Sequence, residues 1–358
     1  MLGVLKLLSL RVLRASGGFE FLARSAWRRQ RLLILCYHGI SLDEEHAWRP
    51  DLYMRPEHLH RRLETLRRRR CSVLPLDEAV RRLYQGSLPP SSVVLTFDDG
   101  CYDFYRHAFP ILKAYNFPAT VYQTTYYCAH RLPVFHLMCS YMLWKARGQV
   151  IRLDSILDSN QAFELATEAG RERLVAELVA LADRQQLSAE QRDALAAALA
   201  EKLGVDYQQL LSARILQLMT AEEIREIAAQ GVSFQLHTHR HRTPRKADLF
   251  CKEIRDNRSW LEPTTGAPAF HFCYPSGHHE SIFLPWLRQE QVISASTCEP
   301  GLASPQSNPL LLPRFVDTSS QPDIVFDSWL TGVAGWLPRR RPRQKSINAA
   351  GAVVSTPR

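Results

Sequence analysis

The chain contains no Cys-x-x-Cys pair, no internal repeat, and no apolar run near the roughly 18–20 residues that a membrane-spanning helix needs. Eight cysteines are nevertheless present (Cys36, Cys71, Cys101, Cys128, Cys139, Cys251, Cys273 and Cys298), scattered along the chain. Without paired spacing they suggest neither a thiolate zinc site nor a disulfide framework. Reduced, mostly buried thiols in a reducing compartment are expected instead. What is there is ordinary for a globular protein: 358 residues, 46% hydrophobic and 23% charged. That is enough for a sizeable core in one decorated domain or two modest ones.

The central part of the chain also lacks a basic excess, although the whole carries +9. Residues 1–31 hold seven cations against Glu20 alone, and residues 339–358 hold six with no acid. The stretch 32–338 is therefore at −3, which offers no basic groove for a nucleic acid. The N-terminal segment lacks the clean apolar stretch of a secretory leader, because Lys6, Arg11 and Arg14 interrupt it. No cleavable signal peptide is expected. Wound as a helix, those cations share an arc of roughly 140°, with Val4, Leu5, Leu8 and Val12 opposite. Residues 1–30 thus read as a basic amphipathic segment suited to an anionic membrane surface. A helix packed on its own domain is the alternative. Residues 338–358 read as a disordered basic tail.

Between the ends, apolar runs at 31–40, 92–97, 118–123, 232–236, 270–274 and 292–296 predict strands. Helices are expected over 56–70, 104–115 and 220–229, the last opened by the capping box Thr220-Ala-Glu-Glu223. The alternation predicts an α/β fold with a parallel sheet or barrel. It stops over 129–215, which is Ala-rich, shows no strand pattern and holds no clustered histidines or paired carboxylates. That segment is expected to be a helical insertion or lid.

Three polar clusters directly follow predicted strands: Asp98-Asp99, His237-Thr-His-Arg-His241 and Tyr274-Pro-Ser-Gly277. In a β/α barrel the carboxyl ends of the strands share one rim, so clusters distant in sequence converge there. Two imidazoles and a carboxylate can hold a borderline-soft divalent ion while leaving a position open for water, which the ion acidifies. A neighbouring carboxylate can then finish the deprotonation.

Val94-Leu-Thr-Phe-Asp-Asp-Gly100 resembles the first motif of the polysaccharide deacetylases, the NodB-homology or carbohydrate esterase 4 family. His237-Thr-His-Arg-His241 is similar to that family's H-[ST]-x-x-H motif, and Phe272-Cys-Tyr-Pro-Ser-Gly277 to a variant of its third. Cys36-Tyr37-His38 resembles the Y-H opening of a bacterial subgroup, and Leu312-Pro-Arg-Phe315 a late element of it. The likeness spans about 31–128 and 216–330, and the barrel domain is expected over 31–128 and 216–337. It implies a distorted (β/α) barrel of the NodB-homology type, interrupted by the insertion.

The resemblance further implies a metal-dependent de-N-acetylase acting on an N-acetylated amino sugar, in a glycan or a lipid-linked glycan intermediate. Asp98 would be the general base, and Asp99, His237 and His241 would hold zinc (or cobalt or manganese), with Thr238 orienting the ligands. Metal-bound water would be the nucleophile, and the backbone N–H of Ser276 would serve the oxyanion. No histidine follows His279, so the acid is expected at His38, as in a permuted subgroup, unless His38 is a core histidine satisfied by backbone. Cys273 stands where the family usually has the arginine that keeps the base ionised. Arg314 is expected to replace it from another strand, with a plain structural arginine as the alternative. Tyr274, Pro275, His239 and His278 are expected among the sugar contacts. A cytoplasmic location, peripheral at the inner membrane face, and no nucleic-acid partner complete the expectations. A non-catalytic carbohydrate-binding or assembly protein is the competing reading, and Cys273 is its best support.

Overall fold

The computed structural model describes residues 2–157 and 161–336, with two further short paired strands at Ser346–Ile347 and Val353–Val354. Apart from that pair, the expected basic tail from 338 lies outside the described residues. Seven parallel strands build the body: β1 (Leu33–Tyr37), β2 (Ser92–Asp99), β3 (Thr120–Gln123), β4 (Ser233–Leu236), β5 (His271–Cys273), β6 (Ser294–Ser296) and β7 (Phe315–Val316). They pair in the order β6-β5-β4-β3-β2-β1-β7, and a short strand at Ser72–Val73 joins the start of β2. The two ends of this curled sheet meet. Leu312, just before β7, bridges to Ser296 of β6, with Leu312 N donating to Ala295 O at 2.8 Å. The sheet is thus a distorted parallel barrel, as the alternating sequence pattern implies.

The strand pleat divides the core in two. One set of side chains, Ile34, Val94, Tyr122, Cys273 and Leu312, fills the barrel interior, and Leu76, Ala79 and Leu83 of the helix Leu76–Gln85 pack against it. The alternate set, including Leu33, Leu35, Leu95, Phe97, Val121, Phe234 and Phe272, faces outward into a larger core with the surrounding helices. Among these, Leu59, Leu63 and Leu66 come from the helix Pro56–Arg68, and Ile224 and Ile227 from Ala221–Ala228. The latter begins with both reciprocal bonds of the capping box, Glu223 N to Thr220 Oγ1 at 3.3 Å and Thr220 N to Glu223 Oε2 at 2.8 Å.

Residues 129–215 contain the helices Phe135–Lys145, Glu168–Arg184, Ala189–Leu203 and Tyr207–Ser212 around a second core. A strand pair, Val150–Arg152 against Ala162–Glu164, interrupts them and corrects the all-helical expectation. Each strand is three residues long and buries one side chain, Ile151 opposite Phe163, which is too little alternation to read from sequence. Tyr53, with Trp48 and Leu52 beside it, enters this second core from the barrel side, so the segment shares packing with the main body. The N-terminal helix Leu2–Ala15 also packs on the body through Leu10, and Arg28 donates to Leu330 O at 2.9 Å and Arg31 O at 2.7 Å.

One buried ion pair fastens the last strand. Arg62 donates to both oxygens of Asp317 at 2.8 and 3.2 Å, to Asp323 at 2.6 Å, and to Gln321 O at 2.8 Å. Removing one partner of such a pair strands the other in a poorly solvating interior. Arg62→Met is expected to lower stability by about 3–5 kcal/mol, read by urea denaturation, and adding Asp317→Leu is expected to recover much of that loss.

Candidate functional site

Asp98 and Asp99 are consecutive at the end of β2, so the pleat sends them to opposite sides. Asp98 points into the barrel. There Arg314 grips it with two parallel bonds, Nη1 to Oδ1 and Nη2 to Oδ2, each 2.7 Å. Arg314 is fully buried and is itself held by Thr297 O (2.9 Å) and Thr96 Oγ1 (3.1 Å). Burial alone would push the Asp98 carboxyl up. The Arg314 charge and hydrogen bonds, aided by His237 and His38, more than reverse this and hold it well below the ordinary carboxylate range. Cys273 lies beside the pair, 3.4 Å from Asp98 Oδ2 and 3.0 Å from Arg314 Nη2. The arginine absent at position 273 is therefore matched by one arriving from the approach to β7.

Asp99 turns outward to the rim on a left-handed backbone (φ 73°), and Gly100 follows at φ 78°. A Cβ on Gly100 would lie 2.0 Å from Gln123 Oε1, so the turn admits no other residue without displacing that side chain. Asp99 Oδ1 sits 3.3 Å from His237 Nε2 and 3.2 Å from His241 Nε2. All three ligand atoms fall within 4.8 Å of one another. His237 Nδ1 is 2.8 Å from Cys273 O, which can only accept, so Nδ1 carries a proton and Nε2 is the ring nitrogen that faces Asp99. Thr238 (φ 63°) and His241 (φ 54°) curl the loop back, and Thr238 Oγ1 accepts from Arg242 N at 3.0 Å. The donor set of two imidazoles and one carboxylate fits a borderline divalent ion.

His38, one residue past β1, places Nε2 3.8 Å from Asp98 Oδ2. Ser276 lies in the turn Pro275–Gly277 with φ 55°, and its N–H takes no partner among the described residues. His279 steadies that turn through Gly277 O at 3.0 Å.

Two of the four expected sugar contacts, Tyr274 and Pro275, need correction. Tyr274 is fully buried with its hydroxyl donating to Leu310 O at 2.9 Å, and Pro275 is buried as well. Neither side chain has surface to offer a sugar. The aromatic residue is packed against Phe272 because the position continues the outward-facing core. His239 spends Nδ1 on Thr125 Oγ1 (2.8 Å), and His278 spends both ring nitrogens, on Thr243 Oγ1 (3.1 Å) and Glu280 (3.2 Å).

Two residues have no signature in the motifs. Asn257, in the middle of the helix Ala247–Thr265, accepts from His237 N at 2.9 Å and donates to Gln123 O (3.0 Å) and Thr125 Oγ1 (3.1 Å). It fastens the histidine loop to β3. His136, in the first turn of Phe135–Lys145, is exposed and stands close enough to the rim to feel the charges of His241 and Asp99. Electrostatically the insertion thus reaches the rim.

Residues 85–146 and 193–291 match the family model described as polysaccharide deacetylase, and the gap at 147–192 falls within the insertion. A 102-residue stretch is 31% identical to the poly-β-1,6-N-acetyl-D-glucosamine N-deacetylase of Escherichia coli K12. It covers 28% of this chain and only 15% of that protein's length. Among solved structures, the Streptococcus pyogenes deacetylase PplD in complex with acetate aligns with a TM-score of 0.55 at 20% identity, covering 86% of this chain and 99% of the other. IcaB from Ammonifex degensii aligns at 0.51 and 19%, covering 85% and 96%. At these identities the structural likeness is one of fold.

Asn257→Leu leaves the His237 N–H and the Gln123 carbonyl unpaired in the interior. It is expected to cost about 1–3 kcal/mol of stability. It is also expected to weaken divalent-metal binding at the Asp99–His237–His241 cluster by about 10–100-fold, the two effects measured by denaturation and by metal titration of the folded variant.

Proposed function

The chain belongs to the polysaccharide deacetylase family, and from that premise we propose that it is a de-N-acetylase of an N-acetylated amino sugar. The observation that carries this is the paired arrangement at the rim. One carboxylate is clamped ionised by Arg314 inside the barrel, and its neighbour faces two imidazoles outside.

In this reading Asp98 takes the proton of the attacking water. Its depressed pKa keeps it ionised, and Arg314 holds both oxygens in place. The free N–H of Ser276 donates to the oxygen that gains charge as the acetyl carbon becomes tetrahedral. His38, near the same Asp98 oxygen, protonates the departing amine, so the C–N bond breaks to give acetate and a free amino sugar. Asp99, His237 and His241 would hold a divalent ion, zinc by preference with cobalt or manganese as alternatives. When bound, it would polarise the acetyl carbonyl and acidify water. The competing reading, a carbohydrate-binding protein without turnover, loses its main support because Arg314 occupies the role that Cys273 leaves vacant.

The substrate class we propose is a chain of N-acetylhexosamine units or a lipid-linked intermediate carrying one. The Escherichia coli relative is named for a poly-N-acetylglucosamine substrate. Acetate release from β-1,6-linked N-acetylglucosamine oligomers and from a lipid-linked N-acetylhexosamine tests the proposal. Activity is expected to vanish with a chelator and return with added zinc, and Asp98→Asn is expected to lose about 10²–10⁴ of the rate. Acetate release that withstands both treatments would overturn the reading. Arg314→Met frees Asp98 from the charge that depresses its pKa and leaves burial to raise it. The base is then protonated at higher pH, so the acid limb of the kcat/KM profile is expected to move upward in pH.

We further propose that the N-terminal segment rests on an anionic lipid surface. Its helix buries Leu10 yet leaves Leu5 (57%), Leu8 (49%) and Val12 (66%) exposed at i, i+3 and i+7, with Phe21 (80%) on the next helix. Exposed Arg11, Arg24 and Arg29 accompany them. An apolar stripe flanked by cations suits the headgroup boundary of an acidic bilayer. The eight unpaired cysteines favour its cytoplasmic side. Leu8→Glu with Val12→Glu is expected to abolish co-sedimentation with phosphatidylglycerol vesicles, and equal binding of variant and wild type would refute the contact.

A further inference from the structure

Three of the eight cysteines converge on the Asp98–Arg314 pair. Cys36 Sγ lies 3.6 Å and Cys273 Sγ 3.4 Å from Asp98 Oδ2, while Arg314 Nη2 lies 3.0 Å from Cys273 Sγ and 3.6 Å from Cys298 Sγ. Cys36 and Cys273 are fully buried, but Cys298 is partly exposed at the strand-end rim, two residues past β6. Of the three, Cys298 is the one that reaches the surface.

The surroundings of Cys298 favour its anion on balance. The neighbouring Cys36 thiol is the largest favourable influence on it, and Arg314, whose Nη2 lies 3.6 Å away, and then His38 add positive charge. Against burial and the Asp98 charge, these push the Cys298 thiol down to about 6. Cys36 and Cys273 shift the other way, burial being the largest cause, so they remain thiols. A thiolate, not a thiol, is the nucleophile in exchange chemistry.

The same residue supports the proposed oxyanion turn. A Cβ on Gly277 would lie 2.8 Å from Cys298 Cβ, so the turn Pro275–Gly277 rests directly on this side chain. The loop around it is tied to the arginine: Arg314 Nε donates to Thr297 O at 2.9 Å and Arg314 N to Glu299 O at 3.0 Å. The Cys298 side chain thus sits between that turn and Arg314 Nη2, 3.6 Å from the latter.

We propose that Cys298 is a thiol-modification site through which small disulfides reversibly switch off the deacetylase. The Cys298 thiolate attacks one sulfur of a low-molecular-weight disulfide, RS–SR. A Cys298–S–SR bond forms, the RS–SR bond breaks, and RS⁻ leaves. The adduct wedges the turn carrying Ser276 away from Arg314 and the site. Excess RSH reverses the exchange. The inhibition rests on the deacetylase reading, whereas the reactivity of Cys298 does not.

Oxidised glutathione is the probe, applied to the native full chain across pH 5–8 and followed by peptide mass spectrometry alongside acetate release. Cys71 is the internal control, since it is also partly exposed but burial pushes its thiol up to about 11. At pH 7 Cys298 is expected to react at least about tenfold faster than Cys71, the gain in thiolate outweighing the lower nucleophilicity of a more acidic thiol. Activity is expected to fall in step with the label and to return with dithiothreitol, and Cys298→Ala is expected to be insensitive. Labelling of Cys298 no faster than Cys71, or full activity in the glutathionylated protein, would overturn the proposal. Fast labelling of Cys298 in a chain that releases acetate from no substrate would leave the reactive thiol standing and remove the deacetylase reading instead.

Discussion

A carboxylate inside a barrel core is tolerable only if a cation meets it there, and the Asp98–Arg314 pair answers that constraint. Desolvation of a lone carboxylate would be relieved by protonation, and a protonated Asp98 could no longer serve as a base. The bidentate guanidinium keeps the charge and fixes the plane of the carboxylate. The partner arrives at the approach to β7, the last strand of the barrel. Closure of the ring, through Leu312 against β6 and β7 against β1, is therefore what completes the site electrostatically. Arg62, holding Asp317 just beyond β7, carries the same requirement one step outward.

The two aspartates show how a strand end divides labour between neighbours. Alternation sends Asp98 to the interior with Thr96 and Arg314, and a left-handed residue aims Asp99 at the histidines. Left-handed backbone recurs at Thr238, His241 and Ser276, three more non-glycine residues of the rim. Such conformations are costly and persist where surrounding bonds impose them. Here the imposing bonds include Thr238 Oγ1 to Arg242 N, the Asn257 bridge behind His237, and the packing of Gly277 on Cys298. The rim is held from behind by side chains that are not themselves ligands.

Peripheral elements surround this centre without supplying its charged pair. The insertion builds a second core of its own yet borrows Tyr53 and Trp48, and it brings His136 within electrostatic reach of the histidine loop. The N-terminal helix is apolar on two sides, one satisfied by the body of the protein and one facing away from it. The thiols of Cys36, Cys273 and Cys298 fill the space around the Asp98–Arg314 pair.

Periodicity and punctuation alone marked the strands, the capping box at Thr220, the interruption of the barrel rhythm and the clusters at strand ends, because these are local regularities of side-chain spacing. The motif residues Asp98, Asp99, His237 and His241 were legible for the same reason. Each cluster lies within a few residues of a strand's carboxyl end, and parallel strands share one rim. Tertiary structure alone decided which of the two readings of Arg314 holds, by setting it on Asp98, and showed that Asn257 backs His237, that Tyr274 is core, and that Cys298 lies at the edge of a thiol cluster. Those facts depend on which strand closes the barrel and on pairs of residues 16 to 216 positions apart. Local sequence carries no signal of such distances, because only the packed chain brings the partners within the few ångströms over which hydrogen bonds and buried charges act.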